Sequence, residues 1–115
     1  MSFRWPSKDP DETLDYSVDW SRFLDTAKIN SVVWFVKSSL YNTKTTLTAG
    51  ATLTSASSNA VTDNIQNVSQ TNTDTVATIN ISGGQNNVEY TFFCQMTDDT
   101  GSTAERSIKL RLKER

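Results

Sequence analysis

Apolar and polar residues alternate along much of this chain, most regularly near its end. Val88, Tyr90, Phe92, Cys94 and Met96 interleave with Glu89, Thr91, Phe93 and Gln95, and Ala104, Ile108, Leu110 and Leu112 interleave with Glu105, Ser107, Lys109, Arg111 and Lys113. A period of two marks a strand that turns one face toward a core. Between the two runs, Asp98-Asp99-Thr100-Gly101-Ser102 supplies turn chemistry, so the pair is predicted to form a closing antiparallel hairpin. The charged outer face of the second run suits a sheet with one wet side or a protected edge. Phe93 breaks the pattern: it falls on the outer face and is expected to fill a gap under a loop or beside a neighbouring side chain.

Upstream, Ala77, Ile79 and Ile81 alternate with Val76, Thr78 and Asn80 and stop at Gly83-Gly84, which predicts a strand and a glycine-dependent turn. Leu14, Tyr16, Val18 and Trp20 alternate with Asp15, Ser17 and Asp19, giving a first strand with an apolar and an acidic face. Val32 to Val36 is apolar on both faces, which predicts a central strand or one whose second face is covered by another part of an assembly. From about Thr43 to Thr75 the apolar anchors thin to Leu47, Leu53, Val61, Ile65 and Val68. One or two short strands are predicted there, although Val61, Ile65 and Val68 also fit a helical stripe. Ahead of the first strand, Pro6 and Pro10 lack an amide donor and restrict the residues before them, which predicts an extended arm over residues 1–13.

These elements predict an all-β fold: an antiparallel, immunoglobulin-like sandwich of about seven strands over residues 14–115, with Trp34, Ile79, Tyr90, Phe92, Met96, Ile108 and Leu110 pointing inward. A length of 115 residues leaves room for one such domain. Hydrophobic residues make up only 36% of the chain while Thr, Ser and Asn abound, a balance that favours strands over helices. The single cysteine, Cys94, permits no intrachain disulfide, so the core must hold by packing, and a reducing origin fits. Beside Phe92 and Met96, Cys94 is expected to be buried and unreactive.

Charge and side-chain inventory then narrow the function. A net charge of −2 from 11 basic and 13 acidic residues provides no field for nucleic acid or an anionic membrane. No run approaches the roughly 18 apolar residues of a membrane-crossing helix, and the first residues lack the apolar core of a secretory signal. Histidine is absent, which removes Ser-His-Asp and Cys-His nucleophiles and the usual zinc sites. The carboxylates Asp9, Asp11, Glu12, Asp15 and Asp19 could in principle serve as acid and base or hold a hard cation, but their spacing is not that of an EF-hand, and a strand would set Asp15 and Asp19 on one exposed face. Asn67-Val68-Ser69 and Asn80-Ile81-Ser82 match the glycosylation pattern by chance, and Gly83-Gly84 lacks the spacing of a phosphate loop. No catalytic, cofactor or metal-binding residue is therefore expected. The acidic front and the basic end, Lys109, Arg111, Lys113 and Arg115, read as two solvated surfaces or as contacts between neighbouring copies.

The opening Lys8-Asp9-Pro10-Asp11-Glu12-Thr13-Leu14-Asp15-Tyr16-Ser17-Val18-Asp19-Trp20 resembles the start of small tailed-phage proteins of the Gp77-like, fiber-tail adaptor family. Ile81-Ser82-Gly83-Gly84, Tyr90-Thr91, Asp99-Thr100-Gly101 and Glu105-Arg106-Ser107-Ile108 resemble that family's ending. Only the middle, Ala49 to Thr75, departs from it, in a region where loops set binding preference. The resemblance implies an immunoglobulin-like virion protein, assembled in the host cytoplasm and joining the tail to fibers or other tail proteins.

A capsid decoration protein is the alternative, and a carbohydrate- or calcium-binding module a third. The implied partners are other virion proteins of tail, fiber or capsid, met by multiple copies around a symmetry axis. Phe3, Arg4, Trp5, Pro6, Asp9, Pro10 and Asp11 are the expected interface, on an arm mobile in isolation and fixed in the assembly. The local alternative is that Trp5 folds back over the edge of its own sandwich.

Overall fold

The computed structural model describes residues 3–6, 8–9, 12–38, 44–47, 66–84 and 87–113. Among them the chain runs β1 (Phe3–Arg4), β2 (Leu14–Asp19), α1 (Ser21–Leu24), β3 (Ile29–Ser38), β4 (Thr45–Leu47), β5 (Gln66–Asn72), β6 (Val76–Ser82), β7 (Glu89–Asp98) and β8 (Thr103–Arg111). One sheet has the order β1-β8-β7-β3-β4 and the other β2-β6-β5. All pairings are antiparallel except that of β1 with β8. The fold is all-β, as the alternation predicted.

Side chains from both sheets share one core. Tyr16 and Val18 of β2 and Ala77, Ile79 and Ile81 of β6 pack in a single buried cluster with Trp34 and Val36 of β3, Tyr90, Phe92, Cys94 and Met96 of β7, and Ile108 and Leu110 of β8. Every residue predicted to point inward is buried. Dense packing of this kind is what a disulfide-free domain of this size depends on. Cys94 lies inside the core, and desolvation pushes its thiol up to about 11.

The closing hairpin forms as expected, with Tyr90 opposite Leu110 and Phe92 opposite Ile108. Gly101 takes φ 93° in its turn, a left-handed geometry that a side chain disfavours. The Thr-rich middle contributes β4 and β5; residues 48–65, which include Leu53, Val61 and Ile65, lie outside the described residues.

Three findings add to the sequence reading. β1 lies along β8 and covers part of its edge, with Phe3 opposite Ile108 and Arg4 opposite Lys109. The arm therefore does form a short regular element. Its prolines permit this because the next backbone donors lie on either side of Pro6: Trp5 N–H donates to Lys109 O at 2.9 Å and Lys8 N–H to Arg111 O at 3.0 Å. A helical turn also occurs at Ser21–Leu24, outside the region where one was considered. It begins where Asp19 Oδ1 accepts the Ser21 N–H at 2.9 Å, a local side-chain bond that draws Asp and Ser out of strands.

Candidate functional site

Two regions concentrate side chains whose roles exceed filling the core. The first is the arm. Trp5 lies at the open side of the sandwich, between the edge of β2 and the β1–β8 edge, and packs against the core. Its ring stacks on Tyr16 at 4.6 Å and sits 5.5 Å from Phe92 and 6.1 Å from Trp34, centroid to centroid. Its indole N–H donates to Ser17 O at 3.3 Å, meeting an edge carbonyl of β2. Of the two alternatives for Trp5, the structure has the local one, and among the described residues of the arm Phe3, Arg4, Trp5 and Lys8 are bonded to the domain. Burying an indole gains more than leaving it in water, and the nearest apolar surface is the chain's own.

Lys8 follows as a second fastener. The side chain is fully buried, and its ammonium donates to Asp9 O and to Gly83 O, each at 2.9 Å. Its backbone brackets the last strand, donating to Arg111 O and accepting from Lys113 N–H at 2.8 Å. Asp9 and Glu12 are joined twice: Asp9 N–H donates to Glu12 Oε1 at 2.9 Å and Glu12 N–H to Asp9 O at 3.0 Å. The start of the motif is thus an architectural fastener, with Lys8 as plug and the Asp9–Glu12 pair beside it. The sequence reading did not single out Lys8, because a lysine beside acidic residues reads as solvated. Within one copy, Lys8 thus sets the start of the acidic front beside the end of the basic last strand.

Of the expected interface residues, Pro6 is exposed and Asp9 half-buried, while Trp5 faces inward. Phe3 and Arg4 contribute β1, and Pro10 and Asp11 lie outside the described residues. The other two acidic residues do share an exposed face of β2: Asp15 accepts from Asn80 at 2.6 Å, and Asp19 is held below the usual carboxylate range chiefly by the Ser21 amide. Among the described residues, no three His, Cys, Asp or Glu side chains group as a cation site.

The second region is the outer face of the five-stranded sheet. Cross-strand register sets Phe35 of β3 directly opposite Phe93 of β7, with Val33 opposite Gln95 and Lys37 opposite Thr91 in the rows on either side. Lys44 places its ammonium 4.6 Å from the Phe35 ring and 4.7 Å from the Phe93 ring, and ends 2.7 Å from Glu105 on β8. Lys37 sits 5.8 Å from the Phe93 ring. Ammonium groups over aromatic faces are attracted by the ring quadrupole. Val33 stays 39% exposed, one of two large hydrophobic residues open to solvent among those described, with Phe23 of α1. Of the two causes predicted for the double apolar character of Val32 to Val36, the structure has the first: β3 lies inside the sheet, between β7 and β4, and the outer face it carries is partly open.

Elsewhere, Arg106 stacks over Trp20 at 4.6 Å and donates to Asp19 O at 3.1 Å, fastening α1 to β8.

No curated protein matches the chain. A family model, described as podophage GP4 fiber-tail adaptor protein gp77, matches residues 8–52 and 40–111. The matched span begins at the buried Lys8 and ends at Arg111, so it takes in β2 to β8 and the outer face of the five-stranded sheet, while Phe3 to Pro6 of the arm precede it. On this match the chain belongs to the podophage fiber-tail adaptor family gp77.

Proposed function

We propose that the protein is a non-enzymatic adaptor of the podophage virion, an immunoglobulin-like domain that joins the tail to fibers or to other tail proteins. The observation that carries this reading is the family match across residues 8–111. The chemistry is consistent with it: His is absent, and the thiol of Cys94 is buried and shifted toward its neutral form.

The topology supports the immunoglobulin-like reading. β2, β6 and β5 correspond to one sheet of such a domain, and β4, β3, β7 and β8 to the other, with a fully buried Trp34 on the strand where immunoglobulin domains carry theirs. The fold alone would not assign the function, since this sandwich serves many.

On this reading, the arm is one contact region. Phe3, Arg4 and Trp5 fix its course, and Pro6, Asp9, Pro10 and Asp11 present its outer side to a partner. Several copies act around the tail axis, as closed assemblies favour.

Quantifying the protein in purified particles tests the role. Tens of copies that co-purify with tails detached from capsids are expected. Hundreds of copies that stay with the capsid shell would instead make it a decoration protein.

A further inference from the structure

We propose that the outer face of the five-stranded sheet, centred on Val33, Phe35 and Phe93 and framed by Lys37 and Lys44, is a docking surface for a different, acidic protein of the same particle. The inference rests on the adaptor reading and adds which face is used and what chemistry meets it.

Register builds the surface from three rows. Val33 and Gln95 lie in one, Phe35 and Phe93 in the next, and Lys37 and Thr91 in the third, which continues to Lys109 on β8. An apolar strip thus borders a cationic one. Exposed apolar groups beside a charged rim are the usual composition of a protein contact.

Lys44 could be read as the cover that satisfies the aromatic pair, with its stem on the rings and its charge on Glu105. That leaves Val33 open, on the far side of the pair from Lys37. It also leaves the face cationic. Of its charged residues, Lys44 pairs with Glu105 and Lys109 lies 3.9 Å from Glu89, whereas Lys37 has no carboxylate partner among the described residues.

The sign of the charge selects the occupant. A second copy docking through the same face would set Lys37 and Lys44 against their own counterparts, and facing like charges repel. The opposite outer face has the right sign, with Asp15 and Asp19 and no Lys or Arg in β2, β5 or β6. Its surface, however, is a polar ladder already bonded within itself: Ser17 to Thr78 at 2.8 Å and Asn80 to Asp15 at 2.6 Å. It offers Val33 and the phenyl rings little to pack on. A partner with carboxylates around an apolar side chain satisfies both halves of the surface.

The test uses a phage lacking this gene, complemented with the full-length chain or its variants, and counts copies per purified particle. V33D and the double variant K37E/K44E are expected to melt close to wild type, because the changed side chains point out of the core. Each should cut incorporation about ten-fold or more, as loss of an interface anchor does. K37R/K44R should restore it, and D15N/D19N should leave it unchanged. Normal incorporation of folded V33D and K37E/K44E would overturn the docking surface while leaving the adaptor role intact. Absence of the wild-type protein from particles would overturn both. Self-association of the wild-type protein that V33D abolishes, measured by sedimentation, would show the occupant to be a second copy and overturn the assignment to a different protein.

Discussion

The indole of Trp5 is stacked on the ring of Tyr16, centroids 4.6 Å apart and planes inclined by 25°, so a residue of the arm and a residue of the first long strand share one aromatic contact. Trp5 belongs to the five-stranded side through its backbone and touches the three-stranded side through its ring. It closes the gap between the two sheets at one flank, and this makes the arm part of the domain's stability.

Trp5→Ala should therefore destabilise the isolated protein. Truncating a large aromatic in a core costs about 3–5 kcal/mol, and a half-buried site belongs near or below the lower figure. At about 4 °C or more per kcal/mol, the melting temperature should fall by roughly 10 °C. Thermal denaturation followed by near-ultraviolet circular dichroism checks this; a shift of a degree or two would mean that the arm is an appendage.

Lys8 gives a second, chemically distinct expectation. Lys8→Met keeps most of the buried stem and removes the ammonium that bonds the carbonyls of Asp9 and Gly83. A buried acceptor left without its donor costs about 1–3 kcal/mol. Urea titration should show a lower midpoint with an unchanged slope. A midpoint equal to or above that of wild type would show that water or neighbouring donors replace the ammonium without loss.

Strands were legible in the sequence wherever one face met the core, because alternation records that difference in environment, and the β7–β8 hairpin was legible from the turn between them. Tyr90, Phe92, Met96, Ile108 and Leu110 are all buried, as their period implied. Lys8 was not legible, since nothing in its neighbours tells a buried, carbonyl-bound ammonium from a solvated one. Its partner Gly83 is 75 residues away, beyond any local pattern. Phe93 was visible as an anomaly, but its partner Phe35 came only with the register of β3 on β7. The same register exposed the row of Val33, whose hydrophobicity alone had suggested burial. The family motif marked Lys8, Asp9 and Glu12 but not what they do, because they act through contacts with backbone atoms that residue types do not announce.

The turn between β7 and β8 supplies a prediction with a defined sign. Asp98 is buried. Its Oδ1 accepts from Thr100 Oγ1 at 2.6 Å, Thr100 N–H at 2.9 Å and Ser102 N–H at 3.0 Å. Led by the Thr100 hydroxyl, these bonds hold the carboxyl below its ordinary value, since all of them favour the ionised form. A group with a depressed folded pKa contributes stability that is fully present above its unfolded value, about 3.9, and is lost as pH falls through the folded one. Asp98→Asn removes the charge but keeps an acceptor oxygen, and charge-assisted bonds are about twice as strong as neutral ones. At pH 7 the variant should melt below wild type. The gap should begin to narrow as the pH falls through the unfolded value of about 3.9 and keep closing below it, because protonation makes the wild-type side chain neutral as well. Asp19, also held low by a backbone amide, titrates identically in both proteins and cancels from the difference. Melting curves of the pair at four or five pH values between 2 and 7 decide the matter: a gap that stays constant across the range would mean that the turn uses the shape of Asp98 and not its charge.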